Sequence, residues 1–181
     1  MSEKVVVMLG DSLTEGWRWQ DGLADVRVVN QGLSGDTTMG VWSRLNLCAR
    51  QKPQLVFLQI GINDLGQGRT PQEIADGHLR IWRALAERLP EAQLLVCSLL
   101  PVNEEKFGWP SQTLKNSAVR EANRLIQAAA EREGLTFVDL YAAVADERQS
   151  LPDYMTDDGV HLTAAAYQVW TAVIKPCLAT P

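Results

Sequence analysis

Val5-Val6-Val7-Met8-Leu9-Gly10-Asp11-Ser12-Leu13-Thr14 reads as a buried strand running into a small polar turn. Consecutive apolar residues opening on three β-branched valines suit a strand covered on both faces, and Gly-Asp-Ser ends the run. Strands of this kind belong to parallel sheets sandwiched between helices. In an open α/β sheet, ligands sit outside the carboxyl ends of the strands. Ser12 is therefore presented where chemistry is usually done, although any strand-to-turn junction can carry a serine.

The same alternation continues along the chain. Further strands are predicted at 26–29, 55–60, 94–99 and 136–138, with helical periods between them. After Thr37, the residues Val41, Trp42, Leu45 and Cys48 recur at three- and four-residue spacing. Thr70-Pro71-Gln72-Glu73 is a capping box with proline at the first helical position, followed by a stripe of Ile74, Ile81, Leu85 and Leu89. The spacing predicts a long helix over about 115–133, with Val119, Ala122, Leu125, Ile126 and Ala129 inward, stopped by Gly134. Thr163 is placed to cap a last helix carrying Tyr167, Trp170, Val173 and Ile174, ended by Pro176. Strand–helix alternation with near-continuous apolar strands predicts an α/β fold in one domain spanning 1–181, its parallel sheet covered on both faces.

Composition narrows the function. The chain has 181 residues, 46% hydrophobic and 22% charged, with a formal net charge of −5. A chain of this length can bury roughly 70% of its unfolded surface. No block of Lys and Arg interrupts the acidic balance, so neither nucleic acid nor an anionic membrane is an expected partner. The three cysteines, Cys48, Cys97 and Cys177, are widely spaced without a Cys-x-x-Cys pair, and Cys48 and Cys97, in apolar segments, read as small buried hydrophobes. The first apolar run is too short for a secretory signal of roughly 7–15 apolar residues, and no stretch approaches the roughly 20 of a spanning helix. A cytoplasmic protein is expected. No nucleotide-binding glycine pattern occurs, and the two histidines, His78 and His161, show no metal-ligand spacing.

Four small-polar clusters punctuate the pattern. They are Gly10-Asp11-Ser12, then Asn30-Gln31-Gly32-Leu33-Ser34-Gly35-Asp36-Thr37 after the second strand, Gly61-Ile62-Asn63-Asp64 after the third, and Asp158-Gly159-Val160-His161 before the last helix. If the first three strands are neighbours, the first three clusters converge at one sheet edge. Acyl transfer needs a nucleophile, a base, an orienter for the base and donors for the oxyanion. Ser12 can be the nucleophile, His161 the base, and Asp158 the carboxylate that holds the imidazole tautomer. The N–H groups of Ser12 and Gly35 and the Asn63 amide can form the oxyanion hole. Asp11 and Asp64 are expected to bond loop backbone rather than do chemistry. His78, inside the capped helix, is expected to be a surface or satisfied histidine and not a second base. Trp42, Trp82 and Trp170 read as core or partly buried packing. Trp17 and Trp109, in loops, are candidates for substrate binding.

In this order the four clusters resemble the motif blocks of the SGNH (GDSL-type) hydrolase family. Ser12 matches its serine, Gly35 its glycine, Asn63 its asparagine, and Asp158 and His161 its Asp-x-x-His. The resemblance implies a three-layer α/β/α flavodoxin-like sandwich with a five-stranded parallel sheet, and hydrolysis of acyl esters without metal or cofactor. A small-molecule ester with a short, acetyl-type acyl group is the expected substrate, O-acetylated carbohydrate among the candidates. A lysophospholipase, an acyl thioesterase and a catalytically inactive binding module on the same fold are the alternatives.

Overall fold

Strand β1 (Val5–Gly10) lies between β2 (Arg27–Gly32) and β3 (Leu55–Gln59), and β4 (Gln93–Cys97) and β5 (Thr136–Val138) extend the sheet beyond β3. The order is β2-β1-β3-β4-β5, and every pairing is parallel. The computed structural model describes residues 3–106 and 114–179. Parallel neighbours need long crossovers, and helices supply them. In chain order they are α1 (Ser12–Glu15), α2 (Trp19–Gly22), α3 (Thr38–Ser43), α4 (Leu45–Arg50), α5 (Ile62–Gly66), α6 (Pro71–Arg88), α7 (Asn116–Arg132), α8 (Leu140–Val144) and α9 (Ala164–Ile174). Helix α6 packs on α7 and α3, and α9 packs on α8 and α2, so both sheet faces are covered.

Strand β3 is apolar from Leu55 to Leu58 and ends in the buried Gln59. All five side chains of β3 are buried, whereas the edge strand β2 is half open. The chain moves from β1 outward to β2, then returns to β3 on the other side. That reversal opens a crevice at the carboxyl ends of β1 and β3, where ligands bind in such sheets. Gly10, at the end of β1, is required by close approach: a Cβ there would lie 2.2 Å from both the Gln59 carbonyl oxygen and Thr14 Oγ1.

Helix α6 begins as the sequence indicates, with Thr70 and Glu73 making the reciprocal capping bonds, and it buries Ile74, Ile81 and Leu85. Helix α7 ends one residue before the expected 133. Four details differ from expectation. The period after Thr37 is two short helices, α3 and α4, because Arg44 leaves helical geometry at φ −112°, ψ 14° between them. Trp42, expected as core or partly buried packing, is among the exposed large hydrophobics at 49%. Thr163 occupies the N-cap position of α9, but its hydroxyl donates to the Tyr154 carbonyl at 2.9 Å and caps nothing. Helix α9 gives way at Lys175 to a 3₁₀ turn that contains Pro176. The short helices α2, α5 and α8 carry too few turns to show a period and are not legible in the sequence.

Cys48 and Cys97 are buried and reduced, as expected of small hydrophobes. Among the described residues, no helix is long and apolar enough to cross a membrane.

Candidate active site

Ser12 opens helix α1 directly after β1. Asp11, not Ser12, is the N-cap: its Oδ1 accepts from the Leu13 N–H at 2.9 Å. A cap one residue earlier frees the Ser12 hydroxyl for other work. The turn rests on aromatic side chains from below. Tyr167 on α9 donates its hydroxyl to the Leu13 carbonyl at 2.8 Å, and Trp19 Nε1 donates to the Thr14 carbonyl at 2.8 Å. Trp19 meets Trp170 edge-on at 4.9 Å, and both are buried. From β2, Asn30 Nδ2 donates to the carbonyls of Thr14 and Trp17, each at 3.1 Å.

Ser12 Oγ lies 3.0 Å from His161 Nε2, and His161 Nδ1 lies 2.6 Å from Asp158 Oδ2. Residues 12 and 161 thus meet across nearly the whole chain, whereas 158 and 161 meet through a turn of their own. Asp158 Oδ1 accepts from the N–H groups of Val160 at 2.9 Å and His161 at 2.8 Å. That turn aims the second carboxylate oxygen at the ring, which is why an Asp-x-x-His spacing works. An antiparallel bridge between Thr156 and Leu162 closes its base. Lys106 Nζ ties it down further, donating to the carbonyls of Asp153 at 2.9 Å and Thr156 at 3.0 Å.

Partial burial works to raise the Asp158 carboxyl, but it is outweighed by the His161 ring N–H and the backbone N–H groups of Val160 and His161, which hold it down at about 2. Asp158 is therefore ionised and can only accept. The ring proton accordingly sits on Nδ1, and Nε2 is free to accept from Ser12. The His161 and Asp158 side chains are about half exposed, 52% and 55%, so the site is open and shallow.

Gly35 follows β2 with φ +77°, the left-handed region that favours glycine; space alone would admit a Cβ there. Backbone conformation is thus sufficient reason for glycine at this position. Among the described residues, nothing accepts from the N–H of Gly35 or of Ser12. Asn63, in α5 after β3, donates one Nδ2 hydrogen to the Asp36 carbonyl at 2.8 Å, and no described residue takes the other. Three uncommitted N–H donors therefore stand at the ends of β1, β2 and β3.

The other residues singled out in the sequence fall as follows. Asp64 accepts from the Thr38 N–H at 3.0 Å and hydroxyl at 2.7 Å, a loop-bonding role. His78 is wholly buried and donates Nε2–H to the Ile60 carbonyl at 2.9 Å; burial lowers its pKa to about 4 despite that bond, so it stays neutral. Trp17 stacks on Tyr167 at 4.8 Å and 10°, so one ring face is spent on packing and is not free for substrate. Trp109 lies outside the described residues. Sequence reasoning missed Arg44, Glu15 and Asn30, which tie the site's loops together. The only signal for Arg44 was a cation inside the apolar period from Val41 to Cys48.

Residues 8–169 match the GDSL-like Lipase/Acylhydrolase family. Platelet-activating factor acetylhydrolase IB subunit alpha2 of Gallus gallus is 26% identical over 172 residues, 91% of this chain and 72% of that protein. A solved structure from Streptococcus pneumonia, provisionally described as a platelet activating factor, superposes with a TM-score of 0.87 at 26% identity, covering 98% of this chain and 85% of that one. A GDSL-like lipase from Bacteroides thetaiotaomicron gives 0.83 at 25% identity, covering 97% and 87%.

Proposed function

This chain belongs to the GDSL-like lipase/acylhydrolase family, and we propose that it is a serine esterase that cleaves short acyl esters through an acyl-enzyme on Ser12. The observation that carries the reading is the unbroken chain Ser12 Oγ–His161 Nε2–His161 Nδ1–Asp158 Oδ2, at 3.0 and 2.6 Å. His161 Nε2 takes the hydroxyl proton as Oγ attacks the carbonyl carbon. The carbonyl π electrons move to oxygen, which meets the free N–H groups of Ser12, Gly35 and Asn63. Collapse of the tetrahedral intermediate expels the alkoxide, which takes the proton back from Nε2. Water then repeats the sequence on the acyl-enzyme. Its proton passes to Nε2, and the carboxylic acid leaves as Ser12 regains its hydrogen. Asp158, ionised throughout, stabilises the imidazolium between these transfers.

Two features support a short acyl group. The relatives with the longest aligned span are acetylhydrolases by name. The His161 and Asp158 side chains are half exposed, which suits a small acyl group with a bulky leaving alcohol. Exposed Ser34 and Asp157 flank Gly35 and Asp158, and polar groups there favour a hydroxylated alcohol such as an O-acetylated carbohydrate.

The test is hydrolysis of p-nitrophenyl esters from two to sixteen carbons by wild type and Ser12→Ala. Activity is expected to peak at two to four carbons and to vanish in the variant. A peak at long chains would replace the short-acyl reading with a lysophospholipase or thioesterase. Activity indifferent to the substitution would overturn the site.

A further inference from the structure

The loop that carries Gly35 is tied to the nucleophile strand on both sides. Upstream, the Glu15 carboxylate on α1 accepts from the Ser34 N–H at 2.9 Å and from the Ser34 hydroxyl. Downstream, one guanidinium makes three bonds at once. Arg44 Nε donates to Asp36 Oδ2 at 2.7 Å, Nη1 to the Gln31 carbonyl at 3.0 Å, and Nη2 to the Gly10 carbonyl at 2.9 Å. Gly10 and Gln31 belong to β1 and β2, so Arg44 spans both strand ends and the loop. The side chains of this ion pair are only 15% and 7% exposed. Asp36 then passes the connection on, because its carbonyl accepts from Asn63 Nδ2 at 2.8 Å.

We propose that Arg44, acting with Asp36, is the positioning residue that sets the mutual spacing of the Ser12, Gly35 and Asn63 donors. The inference rests on the serine-esterase reading, since only there do those donors have an oxyanion to meet. Oxyanion donors work when they lie about 2.7–3.1 Å from the oxygen as it becomes charged. A misplacement of about 1 Å can cost roughly 10²-fold in rate. The three donors come from three different strands, so local chain geometry cannot fix their separation. A planar guanidinium fork can, because its N–H directions are rigid relative to one another. The break between α3 and α4 fits this role, since Arg44 leaves helical geometry where its side chain makes these bonds. A local rule broken at a functional site is where a structural constraint has overridden propensity.

The test is a cycle of Arg44→Lys and Asn63→Ala, singly and together, read as kcat and KM on p-nitrophenyl acetate beside Ser12→Ala. Lysine keeps the charge and loses the fork. Arg44→Lys alone is expected to lower kcat about 10- to 100-fold with KM within about twofold. In the Asn63→Ala background the same change should cost several-fold less, because one of the donors it positions is gone. Equal losses in both backgrounds, an effect confined to KM, or no effect would overturn the proposal. Should Arg44→Lys fail to fold, Asp36→Asn, which removes the charge that Arg44 Nε meets and keeps the carbonyl that Asn63 meets, is put through the same cycle, with the same coupling expected and additivity overturning the proposal. Turnover surviving Ser12→Ala would instead defeat the esterase reading, so the two failures are told apart.

Discussion

Two carboxylates show how differently the two halves of the site are built. Asp11 is wholly buried beside the nucleophile and Asp158 is half exposed beside the base. Desolvation by burial pushes Asp11 up to about 7, against the Leu13 N–H that lowers it and with Asp36 and Asp64 nearby. Asp158 goes the other way, to about 2, because hydrogen bonds from His161 and its own turn outweigh its partial burial. The nucleophile half is assembled from three strand ends by buried, long-range bonds. The base half is folded within residues 156–162 and stands in solvent. Long-range assembly thus gives fixed donors, while a local turn gives an ionised carboxylate that needs no burial.

The base half should show the larger effect when it is broken. Asp158→Asn keeps an oxygen for the turn but removes the charge and the tautomer constraint on His161. A loss of about 10⁴ in kcat is expected by analogy with other triads. A loss under tenfold would mean that the turn alone orients the ring. In the nucleophile half, Asn63→Ala removes one of three donors, and kcat should fall by roughly 10²–10³ with KM little changed. A change confined to KM would make Asn63 a substrate-binding residue.

The smallest expected effect separates the halves by stability. Asp11 has its folded pKa raised from 3.8 to about 7 by burial, so the folded state holds a proton that the unfolded chain releases. Its contribution is fully present below 3.8 and is lost as pH rises through about 7. Asp11→Asn retains an acceptor for the Leu13 N–H and removes the titration. Urea midpoints at pH 4.5 and 7.5 should differ less in the variant than in wild type. Equal slopes would show that Asp11 is not the titrating group.

Much of this was legible in the chain. The strand at 136–138 and the capping box at Thr70 need only local chemistry to be recognised, and both stand where the residues indicated. Asp158 and His161 are likewise a local unit, so their spacing carried their geometry. Trp42 and the break at Arg44 were not legible. An apolar period says that a face exists, not whether another element covers it. Trp17 shows the same limit, since a loop tryptophan beside Ser12 gives no sign that Tyr167, far along the chain, takes one of its faces.

The sequence by itself determined the alternation of buried strands and helices, the residues proposed as reactive groups and the local turn that ionises Asp158. These depend on residue type and on spacings of a few positions. Only the tertiary structure decided that β1 lies between β2 and β3, that Ser12 meets His161, and that Arg44 joins Gly10, Gln31 and Asp36. Those are contacts between residues distant in sequence. They exist only once parallel pairing has aligned three strand ends and brought their polar groups within bonding distance of one another.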